Sequence, residues 1–182
     1  MTNTPNISLK TDPALPGRLA QAVKCKEDIM DYQITKAIID DAEEILKLQK
    51  LAYQIEAKRY NNFNIPSLKQ TREELINQFK DHIILKAVAK GKIIGTVRAY
   101  EKDGTCFIGR LAVQPEMQNQ GIGAALMKEI EKHYTPKRYE LFVGTESENN
   151  IHLYKKLGYN IYKTEAYESG DISIYYMEKN FI

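Results

Sequence analysis

The segment from residue 105 to residue 134 constrains the fold of this chain more than any other part. Thr105 to Val113 is an apolar stretch of strand length, and about Gln120 to Tyr134 repeats apolar residues at helical spacing. A short connection joins them and ends in the pattern Gln118-x-x-Gly121-x-Gly123. A strand that leads directly into a helix packs against it, so this segment predicts an α/β (α+β) protein.

The chain before this segment is predicted to form one strand, two helices and two further strands. A short alternating strand at 32–37 precedes a helix with one apolar face. Ile65-Pro66-Ser67 marks a loop, and Thr71 with Glu74 forms a capping box that begins the second helix. Two strands then lead to Asp103-Gly104, a strong hairpin signal.

The chain after the long helix continues the alternation of strands and helices. A strand at 139–143 precedes a helix at about 147–157, and Gly158 is a natural C-terminal cap for that helix. Two last strands fit 159–164 and 172–177. The predicted order is β-α-α-β-β-β-α-β-α-β-β. This order is best buried as one twisted, mixed sheet of about seven strands with helices on both faces.

The first thirty residues differ from the rest of the chain. Residues 2–17 mix Asn, Thr and Ser with three prolines and show little periodicity. We therefore predict a flexible N-terminal leader over residues 1–30 and one domain over residues 31–182. The composition, 43% hydrophobic and 27% charged, is that of an ordinary globular protein.

Composition also argues against several classes of function. The 26 basic and 24 acidic residues are mixed along the chain and give a net charge of +2, so no nucleic-acid partner is predicted. No stretch approaches the ~20 apolar residues that span a bilayer, so no membrane partner is predicted. Cys25 and Cys106 are far apart, and His82, His133 and His152 stand alone, so no metal site is predicted. We interpret each histidine as a surface or packing residue and expect a cytoplasmic protein.

The glycine pattern has a physical reason to bind phosphate. The first N–H groups of a helix lack partners and lie at the positive end of its dipole. Gly121 and Gly123 have no Cβ, so an anion can approach the backbone closely. The pattern is neither a Walker loop nor a dinucleotide fingerprint, which need further glycines or a Lys. The alternative is that both glycines only ease packing of the helix on the strand.

Two segments together resemble the GNAT superfamily of acyl-CoA-dependent N-acetyltransferases. The first is Leu111-Ala112-Val113, a turn with Pro115, and Gln118 through Gly123 at the start of a helix. The second is Glu148 through Tyr159, a helix with Asn and Tyr that ends in Gly and an aromatic residue. The resemblance covers residues 32–178, and the predicted order of elements is similar to the fold of that family.

The resemblance implies an N-acetyltransferase that uses acetyl-CoA as co-substrate, needs no metal and acts on a primary amine. Leu111 and Val113 would bind pantetheine where the fourth and fifth strands splay apart, and an N–H near Leu111 or Ala112 would polarise the thioester carbonyl. Asn150 would contact the pantetheine arm, and Tyr154 would protonate the departing thiolate. The main chain that would bind the pyrophosphate is that of Gln118, Asn119, Gln120, Gly121, Ile122 and Gly123.

Asn150 and Tyr154 also fit this chemistry without the resemblance. They lie four residues apart on one predicted helix, so their side chains share a face. A tyrosine hydroxyl is a weak acid that can deliver a proton to a thiolate. The alternative is that Tyr154 is a core aromatic residue and that Asn150 caps a helix.

The base and the acceptor are less constrained by the sequence. Many relatives carry an acid on the fourth strand, where this chain has none, so Glu101, Glu56 and water remain candidates for the general base.

Tyr53, Glu56 and Tyr60 are candidate acceptor-binding residues. Two aromatic side chains and one acid would suit a cationic small amine or peptide amine. A homodimer is possible. The main rival is a non-catalytic module that binds or senses acyl-CoA, and an ATP-dependent enzyme is a third reading.

Overall fold

The computed structural model describes residues 31–167 and 172–180, so the predicted leader at residues 1–30 lies outside the described residues. The described strands are β1 Gln33–Lys36, β2 Ile83–Ala89, β3 Lys92–Lys102, β4 Thr105–Val113, β5 Arg138–Gly144, β6 Asn160–Tyr167 and β7 Ile172–Asn180. The described helices are α1 Ala42–Arg59, α2 Pro66–Lys69, α3 Arg72–Gln78, α4 Ile122–Glu131 and α5 Glu148–Lys156. Short 3₁₀ turns, Ile39–Asp41 and Pro115–Met117, precede α1 and α4.

The strands form one mixed sheet in the order β1-β2-β3-β4-β5-β7-β6. Neighbouring strands are antiparallel except β4 and β5, which run parallel. The parallel pair requires a crossover, and α4 provides it between the end of β4 and the start of β5. The prediction of a seven-stranded mixed sheet is confirmed.

The predicted order of elements is also confirmed, with two local differences. Where a loop was predicted, Pro66 takes the first helical position, at which its missing N–H costs nothing, and the short helix α2 forms. The long helix begins at Ile122, because Gly121 has a left-handed backbone with φ of 83°. Both capping predictions are correct. Thr71 and Glu74 form the reciprocal capping box, and Gly158 follows the end of α5 with φ of 92°.

Helices cover both faces of the sheet, as predicted. On one face, α4 packs Leu126, Met127 and Ile130 into the larger core with residues of β2 to β5 and Tyr154 of α5. On the other face, Ile45 of α1 and Leu75 of α3 pack with residues of β2 and β3 in a second core. These two apolar layers fix α1 and α4 on opposite sides of β3 and β4.

The central pair of strands separates partway along its length. β4 and β5 are paired only from Thr105–Arg138 to Phe107–Glu140, although β4 continues to Val113. Beyond this point the register of β4 on β3 shifts by a bulge, and Arg110 takes a left-handed conformation with φ of 53°. From residue 108 onward, β4 therefore has no strand partner on its β5 side. The expected splay of the fourth and fifth strands is present.

Replacing Gly95 of β3 with Ala is expected to lower the free energy of unfolding by about 1–3 kcal/mol. The added Cβ would lie 2.9 Å from Leu126 Cδ1 and 3.1 Å from Ile122 Cγ2, so α4 would have to shift from the sheet. Gly109→Ala is the matched control, because a Cβ there meets nothing within 4 Å. Denaturant titration compares the variants, and equal stability would contradict the close approach of α4.

Candidate active site

A cleft of about 770 Å³ opens where β4 and β5 separate. Residues of β4, of the start of α4, of α5 and of the second half of α1 line it. Among the predicted site residues, Gln120 alone does not line the cleft. Those that do are Tyr53, Glu56, Tyr60, Leu111, Ala112, Val113, Gln118, Asn119, Gly121, Ile122, Gly123, Asn150 and Tyr154.

The first turn of α4 forms one end of the cleft. Gly121 is the N-cap residue, and no side chain caps the helix, so the first N–H groups of α4 remain unpaired within it. A Cβ at Gly121 would meet nothing within 4 Å, so its glycine is required by the positive φ and leaves open space beside the helix end. An uncapped helix N-terminus with open space before it is a suitable site for an anion.

The two glutamines of the turn brace its backbone. Gln118 Nε2 donates to the carbonyl of Val113 over 3.3 Å, and Gln120 Nε2 donates to the carbonyl of Glu116 over 3.3 Å. The Gln120 side chain is exposed and points away from the cleft lining. Gln120 is therefore the one residue of the predicted pyrophosphate-binding turn that does not line the cleft.

The free side of β4 forms the floor of the cleft. Leu111 and Val113 are half-buried and lie near Gly123, with their side-chain carbons 3.7 Å and 3.9 Å from the position of a Cβ there. Leu153 of α5 is closer still, at 3.5 Å. A glycine at 123 therefore lets α4, β4 and α5 meet at the cleft without a side chain projecting between them.

Tyr154 is held in place by the end of α5. The Tyr159 N–H donates to the Tyr154 carbonyl over 3.0 Å, and the Gly158 N–H donates to the Lys155 carbonyl over 3.0 Å, which is a Schellman motif. The rings of Tyr154 and Tyr159 meet edge to face with centroids 6.2 Å apart. Asn150 is half-buried one helical turn earlier and lines the same cleft, as their spacing predicts.

The Tyr154 side chain is only 8% exposed, yet it lines the cleft. Its hydroxyl forms no hydrogen bond with the residues that the structure describes. Burial, and to a smaller extent the nearby Tyr53 and Glu56, raises the pKa of Tyr154 well above its usual value. The hydroxyl therefore stays protonated at neutral pH and remains available as a donor to a ligand.

The acceptor-side residues of α1 also hold α1 to the start of α5. The Tyr60 hydroxyl accepts a hydrogen bond of 2.7 Å from the Glu146 N–H and lies directly against Gly144. Glu56 forms an ion pair with Arg59, and it accepts a hydrogen bond from the Ser147 hydroxyl. The single acid of the predicted acceptor wall is thus already compensated by residues of this chain.

The second candidate base, Glu101, does not lie in the cleft. It is exposed near the far end of β3, where its backbone is paired with Cys106. The cleft lining does not include Glu101, so the structure removes it as a base for chemistry in the cleft. The reason is register, because Glu101 lies beyond the segment of β3 that faces the gap.

Three arginines that the sequence did not single out line the cleft, namely Arg59, Arg98 and Arg110. Arg98 on β3 is only 5% exposed and donates to Gln70 Oε1 over 3.0 Å. Burial, and secondarily the charge of the nearby Arg110, lowers the pKa of Arg98 to about 9. Arg110 itself is half-buried at the β4 bulge. The signal available in the sequence was a charged residue at an inward-facing position of an otherwise apolar strand.

His82 is a packing residue that also has a place in the cleft. It lines the cleft, and its ring lies 4.8 Å from that of Tyr100, which stacks on Phe107. Asp81 Oδ1 lies 2.6 Å from His82 Nδ1, an arrangement that orients the ring and leaves Nε2 free of this contact. His82 is therefore part of the cleft lining as well as a packing residue.

Metal ligands and membrane spans were also sought among the described residues. Residues 31–167 and 172–180 contain no group of three or more His, Cys, Asp or Glu side chains able to hold a metal ion. Cys106 is buried, and burial raises the pKa of its thiol to about 12, so it is a poor nucleophile. Within the same ranges, no helix is both long and apolar enough to cross a bilayer.

Sequence comparison identifies relatives of this chain. The model of the acetyltransferase (GNAT) family matches residues 39–159, more than half of the chain. A curated relative is an uncharacterized N-acetyltransferase from Methanocaldococcus jannaschii, with 30% identity over 146 residues. This match covers 72% of our chain and 62% of the relative, so the chain spans less than two thirds of that protein's length.

Solved structures share the fold at low sequence identity. The PaiA N-acetyltransferase from Thermoplasma acidophilum, in complex with coenzyme A, has a TM-score of 0.70 and 22% identity, covering 84% of our chain and 100% of that chain. The ribosomal-protein-S18-alanine N-acetyltransferase from Escherichia coli has a TM-score of 0.67 and 19% identity, covering 83% and 94%. At such identities the comparison establishes the fold.

The mixed sheet with helices on both faces is the fold that the two solved N-acetyltransferases share with this chain. The match over residues 39–159 places this chain among the acetyltransferases by sequence as well. The chain belongs to the GNAT family of acetyltransferases.

Replacing Gly144 with Ala is expected to release the contact between α1 and α5. The added Cβ would lie 2.2 Å from the Tyr60 hydroxyl oxygen, so Tyr60 would have to leave its hydrogen bond with the Glu146 N–H. We expect a loss of about 1–3 kcal/mol in stability and faster amide exchange at Glu146. Hydrogen exchange measures the stability and the protection of the Glu146 amide, and Gly109→Ala is the control. Unchanged protection of the Glu146 amide would contradict the hydrogen bond to the Tyr60 hydroxyl.

Proposed function

We propose that this chain transfers an acetyl group from acetyl-CoA to a primary amine. The observation that carries the proposal is the gap between β4 and β5, which leaves main-chain groups of β4 without a strand partner next to the uncapped start of α4. Such a gap accommodates a long ligand with amide groups along its length and a phosphate at one end. Membership of the GNAT family supports the same reading.

The described residues fit coenzyme A at both ends of the cleft. The uncapped N–H groups after Gly121 suit a pyrophosphate, with Gln118 to Gly123 supplying the main chain around it. The free edge of β4 at Leu111 and Val113 suits the amides of pantetheine, and Asn150 faces the same space. The coenzyme, when bound, would supply an acetyl group activated as a thioester.

The residues of the cleft could assist transfer in three ways. A main-chain N–H at Leu111 or Ala112 would donate to the thioester carbonyl and stabilise negative charge that develops on its oxygen. Tyr154, protonated and unpaired, would donate its proton to the departing thiolate sulfur. Binding of the amine in the same cleft would add the advantage of proximity, because both reactants would be held in one orientation.

The amine must be neutral to attack, and among the residues that line the cleft we propose His82 as the group that accepts its proton. Glu56 is already engaged by Arg59 and Ser147, and Glu101 lies outside the cleft. His82 lines the cleft, and Asp81 orients its ring through Nδ1. We therefore assign His82 as general base, acting directly or through one water molecule.

Acetyl-CoA binding and turnover test the main proposal. Acetyl-CoA is expected to raise the melting temperature, and amines are expected to release CoA thiol in its presence. Tyr154→Phe should keep CoA affinity and lose roughly 10²-fold in kcat, because only the proton donor is removed. Tyr162→Phe is the control, since Tyr162 lies on β6 and does not line the cleft.

Two outcomes would contradict parts of this proposal. Undiminished turnover of Tyr154→Phe would end the proton-donor role. Stabilisation by acetyl-CoA without thiol release from any amine would favour the non-catalytic acyl-CoA module, and stabilisation by ATP alone would favour a nucleotide-dependent enzyme. Glu56, the acid among the predicted acceptor-binding residues, is already paired with Arg59 and Ser147. The non-catalytic acyl-CoA module is therefore the rival that the thiol-release assay must exclude.

Replacing His82 with Gln tests the base. We expect kcat/KM to fall roughly 10²-fold near neutral pH, because the group that accepts the proton of the amine is gone. Asp81→Asn should give a smaller loss, since Asp81 only orients the ring. His133→Gln, outside the cleft, is the matched control. Undiminished kcat/KM in His82→Gln would assign proton removal to solvent.

A further inference from the structure

Arg98 is a buried cation without an anionic partner among the residues that the structure describes. Its side chain is 5% exposed, and its one protein hydrogen bond goes to the neutral amide oxygen of Gln70. The Gln70 side chain makes two further hydrogen bonds: its Oε1 also accepts from Gln49 Nε2, and its Nε2 donates to Gln78 Oε1. A guanidinium group has five N–H donors, so most of those on Arg98 remain unused.

Arg110 adds a second positive charge beside the first. It lies on β4 next to Gly109, the residue that faces Arg98 across the β3–β4 register. Arg110, Arg98 and Tyr53 all line the cleft, and after burial the charge of Arg110 is the next cause of the lowered pKa of Arg98. Arg110 forms no ion pair within the described ranges either. Two adjacent buried or half-buried guanidinium groups repel each other and are costly unless an anion joins them.

Glu56, a carboxylate that lines the same cleft, does not neutralise the charges of the two arginines. After burial, its charge contributes to raising the pKa of Tyr53 and of Tyr154. However, its oxygens are taken by Arg59 and by the Ser147 hydroxyl. This part of the cleft therefore carries a net positive charge. Such a charge would repel the purely cationic acceptor that the sequence suggested.

This positive pair is separate from the start of α4. Arg98 contacts Gln70, which precedes α3, on the sheet face that α1 and α3 cover. α4 packs on the opposite face, through Leu126 and Ile130. The pyrophosphate of a coenzyme bound at Gly121 would thus contact the start of α4. The two arginines would remain available to bind the other reactant, the amine acceptor.

We infer that the amine acceptor carries its own carboxylate or phosphate group and that Arg98 and Arg110 bind this group beside Tyr53. Guanidinium groups match such anions with paired, charge-assisted hydrogen bonds, which are strongest where water is excluded. The inference rests on the proposed acetyl transfer and specifies its acceptor class. It predicts an amine whose anionic group is retained after acetylation of the nitrogen.

Matched acceptor pairs test the inference. The pairs are glycine with glycinamide, β-alanine with β-alaninamide, and phosphoethanolamine with ethanolamine, so each pair differs mainly in the anionic group. Thiol release gives kcat/KM, and calorimetric titration into the protein loaded with CoA gives affinity without turnover. We expect the anionic member of at least one pair to be preferred roughly tenfold or more by both measures. The pair that responds distinguishes carboxylate from phosphate.

Variants assign the preference to the two arginines. Arg98→Gln and Arg110→Gln should each reduce it about tenfold or more, and Arg98→Lys should restore only part of it, because the charge returns without the planar fork. Arg72→Gln is the matched control, an arginine on the exposed start of α3 outside the cleft. CoA titration of every variant verifies that the protein is folded and that the coenzyme site is intact.

The outcomes separate this inference from the proposed function. Turnover without preference for any anionic member, or a preference that survives in both arginine variants, overturns the inference and leaves acetyl transfer standing. CoA binding with neither binding nor turnover of any anionic member also overturns it. Failure of acetyl-CoA to bind wild-type protein refutes the proposed function itself, on which the inference depends.

Discussion

The site depends on the early end of pairing between β4 and β5. Hydrogen bonding between these strands stops at Phe107 and Glu140, whereas β5 remains paired with β7 along its whole length. The left-handed backbone at Arg110 turns β4 away, since a bulge increases local twist and ends regular pairing. The sheet is thereby divided into β1–β4 and β5–β7–β6, and the cleft is the space between these two halves.

Side chains, in place of strand pairing, keep the two halves together beyond the gap. Tyr60 and Glu56 at the end of α1 bind the turn that leads from β5 into α5. This contact joins the helix that covers the first half to the helix that carries Asn150 and Tyr154. Residues first considered for acceptor binding therefore also set the width of the cleft. A change at Tyr60 would alter both walls at once, so its effects on binding and on stability are linked.

Local patterns predicted the sheet and its helices, because capping boxes, hairpin turns and helical spacing are encoded by neighbouring residues. The spacing of Asn150 and Tyr154 placed both on the cleft for this reason. The charges along the α1 side of the cleft could not be predicted, since they depend on contacts between distant elements. The neutralisation of Glu56 requires Ser147, and the isolation of Arg98 becomes visible only when Gln70 is found to be its partner. The place of His82 in the cleft lining could not be predicted, because it depends on tertiary contacts, whereas its partner Asp81 is adjacent in sequence.

The unpaired side of β4 has a consequence for how long the protein survives in a cell. A strand edge with free main-chain groups invites pairing with other chains, and here such an edge lies inside the molecule, shielded only by helices. A ligand that takes these hydrogen bonds acts as a missing strand and suppresses the opening motions on which proteases act. The abundance of the protein would then follow the supply of that ligand, so that starvation for it removes the protein as well as its activity.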